Sequence, residues 1–102
     1  MPIDPIRKQP SEVLNWGIDL SADLGVGDTL TLTSVKAVNR ATGVDSTSTV
    51  IATIPAPEMI GQIVAFTVKD GTDGDVHHLT FRFLTSSGEE LEADIDLIIV
   101  EE

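Results

Sequence analysis

Three groups of side chains in this chain have types and spacing that invite chemistry. The first is the loop Asp70–Asp75, of sequence DGTDGD, in which Asp70, Asp73 and Asp75 could set three carboxylates around a hard cation while the glycines permit the turn. Calcium takes its oxygen ligands from loops of this kind. The spacing is not that of an EF-hand, because the D-x-D-x-D-G order and the distal Glu are missing. Asp and Gly are also the ordinary residues of a turn between strands, so the loop is expected to be a hairpin turn, with calcium binding the lesser reading. The second group is His77-His78. Consecutive strand residues point to opposite faces, so the pair cannot share one ion. The expectation is one imidazole toward solvent and one at the edge of the core. No serine or cysteine nucleophile with an ordered acidic partner can be argued beside them, so a catalytic triad is not expected.

The third group is the row Glu90, Glu92, Asp94 and Asp96, which alternates with Leu91, Ala93, Ile95 and Leu97. Same-face neighbours in a strand stand about 7 Å apart, so the row reads as like charges repelling along one face. Two carboxylates at that distance resemble a glycosidase pair. A sugar cleft also needs aromatic walls, and Trp16, Phe66, Phe81 and Phe83, the four aromatics, fall at core positions. Nothing here forms a catalytic set, and the chain is expected not to be an enzyme and to need no cofactor. The row is expected to be a solvated face that discourages edge-to-edge aggregation, or a docking face for a basic partner.

The elements that must carry these groups are strands. Val76–Thr85 and Leu91–Val100 alternate apolar and polar residues, joined by a turn at Ser86-Ser87-Gly88-Glu89. Further strands are expected at Ser11–Leu20, Thr29–Asn39, Thr49–Ile54, which Pro55-Ala56-Pro57 stops, and Ile60–Lys69. In Thr29–Asn39 the apolar phase changes near Ser34, which implies a bulge. Leu14, Trp16, Ile18 and Leu20 share one face, and Trp16 is expected in the core rather than stacked on a sugar. The Gly25 and Gly27 loop lacks the setting of a nucleotide fingerprint.

Six to seven short strands with no sustained helical period describe an all-β domain, a small antiparallel β-sandwich of the immunoglobulin or fibronectin type. A small barrel is the alternative. The domain is placed at residues 11–102. Residues 1–10, with Pro2, Pro5 and Pro10, are expected to be an extended N-terminal arm.

Composition narrows the partners. The chain has 102 residues, no cysteine, and a net charge of −11 from 17 acidic and 6 basic residues. Such a field repels phosphate backbones and anionic lipid, so neither nucleic acid nor membrane is expected as a partner. No run approaches the ~20 apolar residues needed to cross a bilayer, and no secretory leader is seen.

The run Lys8-Gln9-Pro10-Ser11-Glu12-Val13-Leu14-Asn15-Trp16-Gly17-Ile18-Asp19-Leu20, followed by Gly27-Asp28-Thr29-Leu30, resembles the opening of short immunoglobulin-like virion proteins of tailed bacteriophages, the fibre–tail adaptor or neck-associated type. Lys69-Asp70-Gly71-Thr72-Asp73-Gly74, then Leu79-Thr80-Phe81 and Thr85-Ser86-Ser87-Gly88, resembles their closing part. Asn15, Leu20 and Glu89 depart from the pattern, where Asp, Trp and Arg are usual. The resemblance implies a non-enzymatic structural module of the virion, made in the host cytoplasm and present in symmetric multiple copies. Its implied partners are portal, neck, tail or fibre proteins, or the major capsid protein. A capsid decoration protein and a small cell-surface or carbohydrate-binding sandwich are the alternatives. On that reading the arm, through Ile6, Arg7 and Lys8, becomes a strap onto a neighbour whose removal leaves the domain folded. Glu90, Glu92, Asp94 and Asp96 become a docking face.

Overall fold

The computed structural model describes residues 4–24 and 27–101. Met1–Ile3 of the expected arm, Gly25 of the glycine loop and Glu102 lie outside them. Seven strands form two sheets: β1 (Ile6–Lys8), β2 (Leu14–Asp19), β3 (Leu30–Asn39), β4 (Glu58–Ile60), β5 (Ile63–Val68), β6 (Val76–Thr85) and β7 (Glu90–Ile99). The four-stranded sheet runs β1-β7-β6-β3 and the three-stranded sheet β2-β5-β4. The orders β3-β6-β7 and β2-β5-β4 are the C-F-G and B-E-D orders of an immunoglobulin sandwich. Here the first strand joins the last one, in parallel.

The hairpin β6–β7 is the scaffold. Its register is unbroken from Val76↔Ile98 to Leu84↔Glu90. The turn closes through Thr85, whose N–H donates to the Glu89 carbonyl at 2.8 Å and whose Oγ1 accepts the Glu89 N–H at 2.9 Å. Alternation then sends Leu79, Phe81, Phe83, Ala93, Ile95 and Leu97 inward, where all are buried. Phe81 meets Phe66 of the opposite sheet with ring centroids 4.6 Å apart and planes tilted by 41°, a favoured arrangement for aromatic pairs. The phase change in β3 is a bulge, with the register shifting between Leu32 and Ser34. Thr33 Oγ1 donates to the Arg82 carbonyl across it at 3.0 Å.

Four expectations are corrected. The expected strand Thr49–Ile54 is instead the helical turn α1 (Thr47–Val50), and only Ile51 bridges to β5, at Val68. Local capping overrides the β-branched composition: Asp45 Oδ1 accepts the Thr47 N–H at 2.9 Å, and the Ser46 carbonyl takes the Thr49 and Val50 N–H groups. The expected strand Ile60–Lys69 begins only at Ile63, as β5, because Gly61, at φ 60°, and Gln62 make a two-residue turn that pairs Ile60, the end of β4, with Ile63. Trp16 is 40% exposed. It pairs with Phe66 and shares the face of the buried Ile18, but β2 is the open edge of its sheet and no described strand flanks it on one side.

The fourth correction concerns residues 6–8, which are not a free arm. They form the edge strand β1, with Ile6 paired to Leu97 and fully buried. A boundary between residues 10 and 11 therefore cuts through a sheet.

The segment after α1 makes one more feature. The Ala52 N–H donates to the Thr67 carbonyl at 2.9 Å, and Glu58 pairs with Ala65. Residues 53–57 are thus an excursion whose two ends are both fastened to β5. At its tip Ile54 is 92% exposed.

Candidate functional site

The strand period of β7 places Glu90, Glu92, Asp94 and Asp96 on the outer face of the four-stranded sheet, against Leu84, Arg82, Thr80 and His78 of β6. They are not four unopposed charges. Asp96 accepts from His78 Nδ1 at 2.9 Å and from Arg40 Nη1, which reaches both carboxylate oxygens, Oδ2 at 2.9 Å and Oδ1 at 3.1 Å. Asp94 lies 3.2 Å from His78 Nε2 and accepts from Thr80 Oγ1 at 2.9 Å. Arg82 Nε donates to Glu92 at 3.2 Å. Burial works to raise the Asp96 carboxyl, but the hydrogen bonds and charges of His78 and Arg40 outweigh it and hold it below the usual carboxylate range. Lys36 lies on the same face through its pairing with Thr80, and Arg7 through its pairing with Ile98. The face is therefore a lattice of alternating charge, not an acidic stripe. The sequence showed the acids by their period. It hid the bases, which arrive from β1, β3 and β6 only through register.

Of the three expected arm contacts, one reaches solvent. Arg7 is exposed, whereas Ile6 and Lys8 are 0 and 2% exposed. The Lys8 ammonium turns under the sheet end and donates to the carbonyls of Gln9 at 2.7 Å, Pro10 at 3.2 Å and Asp70. Burial lowers its pKa, against the raising effect of the Asp70 and Glu12 charges. As surface contacts for a neighbour, Ile6 and Lys8 are thus displaced by Arg7 alone.

The DGTDGD loop is not the expected hairpin turn, because it crosses from β5 in one sheet to β6 in the other, and its aspartates diverge. Asp70, at φ 51°, pairs with Lys69 at 3.0 Å. Asp73 Oδ1 accepts the Glu101 N–H at 3.0 Å. Asp75 Oδ2 turns toward His77 Nε2, 3.7 Å away. Among the described residues no three His, Cys, Asp or Glu side chains gather closely enough to hold a metal ion.

His77 and His78 part to opposite faces. His78 belongs to the outer lattice, while His77 is 3% exposed and its Nδ1 lies 2.7 Å from Ser46 Oγ. Ser46, His77 and Asp75 have the composition of a hydrolytic triad. Both Ser46 and His77 are buried, so the hydroxyl meets no substrate carbonyl, and the Asp75 contact exceeds hydrogen-bond reach. No signal in the sequence could have found this pair, since Ser46 stands in a polar, turn-rich stretch like its neighbours.

The apolar surface offers a groove of about 480 Å³ beside the β3 bulge, walled by Leu32, Val35, Ile51, Ala52, Ala56 and Pro57. It shares the 53–57 excursion with the exposed Ile54.

What these features define is a seven-stranded immunoglobulin-like sandwich with a charge-patterned face. Residues 8–98 match the Gp77 family, described as "Podophage GP4 fiber-tail adaptor protein gp77", and the chain belongs to that family. No curated protein matches the chain.

Proposed function

We propose that this chain is a non-enzymatic structural adaptor of the phage particle, joining tail or neck components, including fibres, through protein–protein contacts in symmetric multiple copies. The family match over residues 8–98 carries the reading. The face described above supports it: Arg7, Glu90, Glu92, Asp94 and Asp96 stand on one side of a sheet with their bases in alternation, as suits a surface that fixes a partner's register by charge. The net charge of −11 steers basic partner surfaces toward it.

The double variant Glu92→Lys, Asp94→Lys tests the face. We expect it to slow association with the neighbouring virion proteins, with a weaker salt dependence than the native chain shows. Thermal melts of the isolated variant serve as the control for folding, because the new lysines lie beside Arg82 and His78. Unchanged particle assembly and unchanged salt dependence would remove this face from the interface.

A further inference from the structure

Four polar groups meet at the end of the sandwich where β1, α1 and the DGTDGD loop converge. Register sets two of them on one inward row after another. Ile6, Leu97 and His77 form one row. Lys8 and Ile99 form the next, which Asp75 joins by accepting the Ile99 N–H at 2.9 Å. Leu97 and Ile99, from β7, bring only hydrocarbon. Ser46, before α1, brings its hydroxyl. The charged groups that act on His77 are therefore Asp75 and Lys8.

One atom of this cluster is unprovided for. His77 Nε2 is buried and has no hydrogen-bond partner among the described residues, with the Asp75 carboxylate 3.7 Å off. Orphaned buried donors and acceptors are rare, because each forfeits its hydration. Protonating His77 makes matters worse on one side. It places a second cation under the sheet end that already holds the Lys8 ammonium, and all the described partners of that ammonium are carbonyls. Asp75 attracts the imidazolium, but it is a third exposed and out of bonding reach.

We propose that His77 is an acid-operated latch, whose protonation opens the β1–β7 pairing and frees residues 4–10 while the rest of the sandwich stays folded. The opening falls on β1 because β1 is three residues long, lies at the sheet edge, and carries Lys8, the cation whose charge opposes that of a protonated His77. β7 cannot yield in its place, since its whole length is paired with β6. Burial lowers the His77 pKa, with Asp75 raising it and Lys8 lowering it further. The sign follows: the stability is full above the unfolded value, about 6.5, and is lost as pH falls through the depressed folded value. Opening also bares the β7 edge, which can then accept a strand from another chain.

Amide hydrogen exchange of the full chain tests the latch, read as protection factors from pH 7.5 down to pH 4.5. The reporter is the Val100 N–H, which donates to the Lys8 carbonyl at 2.9 Å. We expect its protection to fall at least tenfold toward acid while the amides of Phe81 and Ile95 keep theirs. His77→Gln should abolish the fall and His78→Asn should keep it. An unchanged Val100 in the native chain, an equal fall in His77→Gln, or simultaneous loss at Phe81 and Ile95 would each overturn the proposal. Should His77→Gln fail to fold, the native chain decides. Val100 protection must then follow the imidazole titration of His77 by NMR, and following that of His78 overturns the latch.

Discussion

A lysine sealed beneath a strand must place its three protons on neighbours, and Lys8 places them on the carbonyls of Gln9, Pro10 and Asp70. Lys8→Met keeps the stem but leaves those carbonyls short of a donor. These acceptors are only partly buried, so the total loss should stay within the about 1–3 kcal/mol that one unsatisfied buried group costs, read as a fall in the urea denaturation midpoint. Asp96 sits under a different rule. Its folded pKa is depressed, so its contribution is present above the unfolded value, about 3.9, and is lost as pH falls through the folded one. Asp96→Asn should therefore flatten the acid limb of stability below about pH 4. The His77 contribution begins to fall higher, below its unfolded value of about 6.5, so His77→Gln and Asp96→Asn tell the two apart.

At the scale of elements, β6 and β7 were legible because the apolar period matched the strand period over ten residues and each end carried turn chemistry. The β3 bulge was legible as a slip of phase at Ser34. The failures share a cause, which is that the deciding contact is distant or competes locally. A capping aspartate converts Thr47–Val50 to a helical turn, and Gly61 folds back a run that alternates correctly on either side of it. Trp16 reads as core from its phase, yet exposure depends on where its strand falls in the sheet order, which periodicity does not encode. The same holds for Ile6 and Lys8, whose prolines spoke for an arm and whose burial depends on β7. Removing residues 1–8 should accordingly lower stability by about 2–5 kcal/mol, the range for losing one buried aliphatic side chain. The remaining sandwich should still fold, with a reduced melting temperature and intact far-UV circular dichroism.

For the molecule as a whole, charge does two jobs at two ranges. The outer lattice pairs acids with Arg40, His78 and Arg82 at close range, while the net −11 acts at long range. Exposed ion pairs contribute little to stability, about 0–1 kcal/mol each. The lattice is better understood as patterning than as reinforcement, which is why the test of it is an association rate and not a melting point. The candidate docking acids were legible from their spacing. Their neutralising partners were not, because cross-strand neighbours are set by register and not by proximity in sequence.

The 53–57 excursion carries a consequence for engineering. Ala52 and Glu58 are both fastened to β5, with Thr67 and Ala65 as their partners. The cost of closing a loop between such neighbouring posts grows only slowly with its length, roughly 0.6 kcal/mol for each doubling. A foreign peptide spliced beside Ile54 would therefore be carried outward from the sandwich without disturbing either sheet, making this tip a display platform supplied by the fold itself.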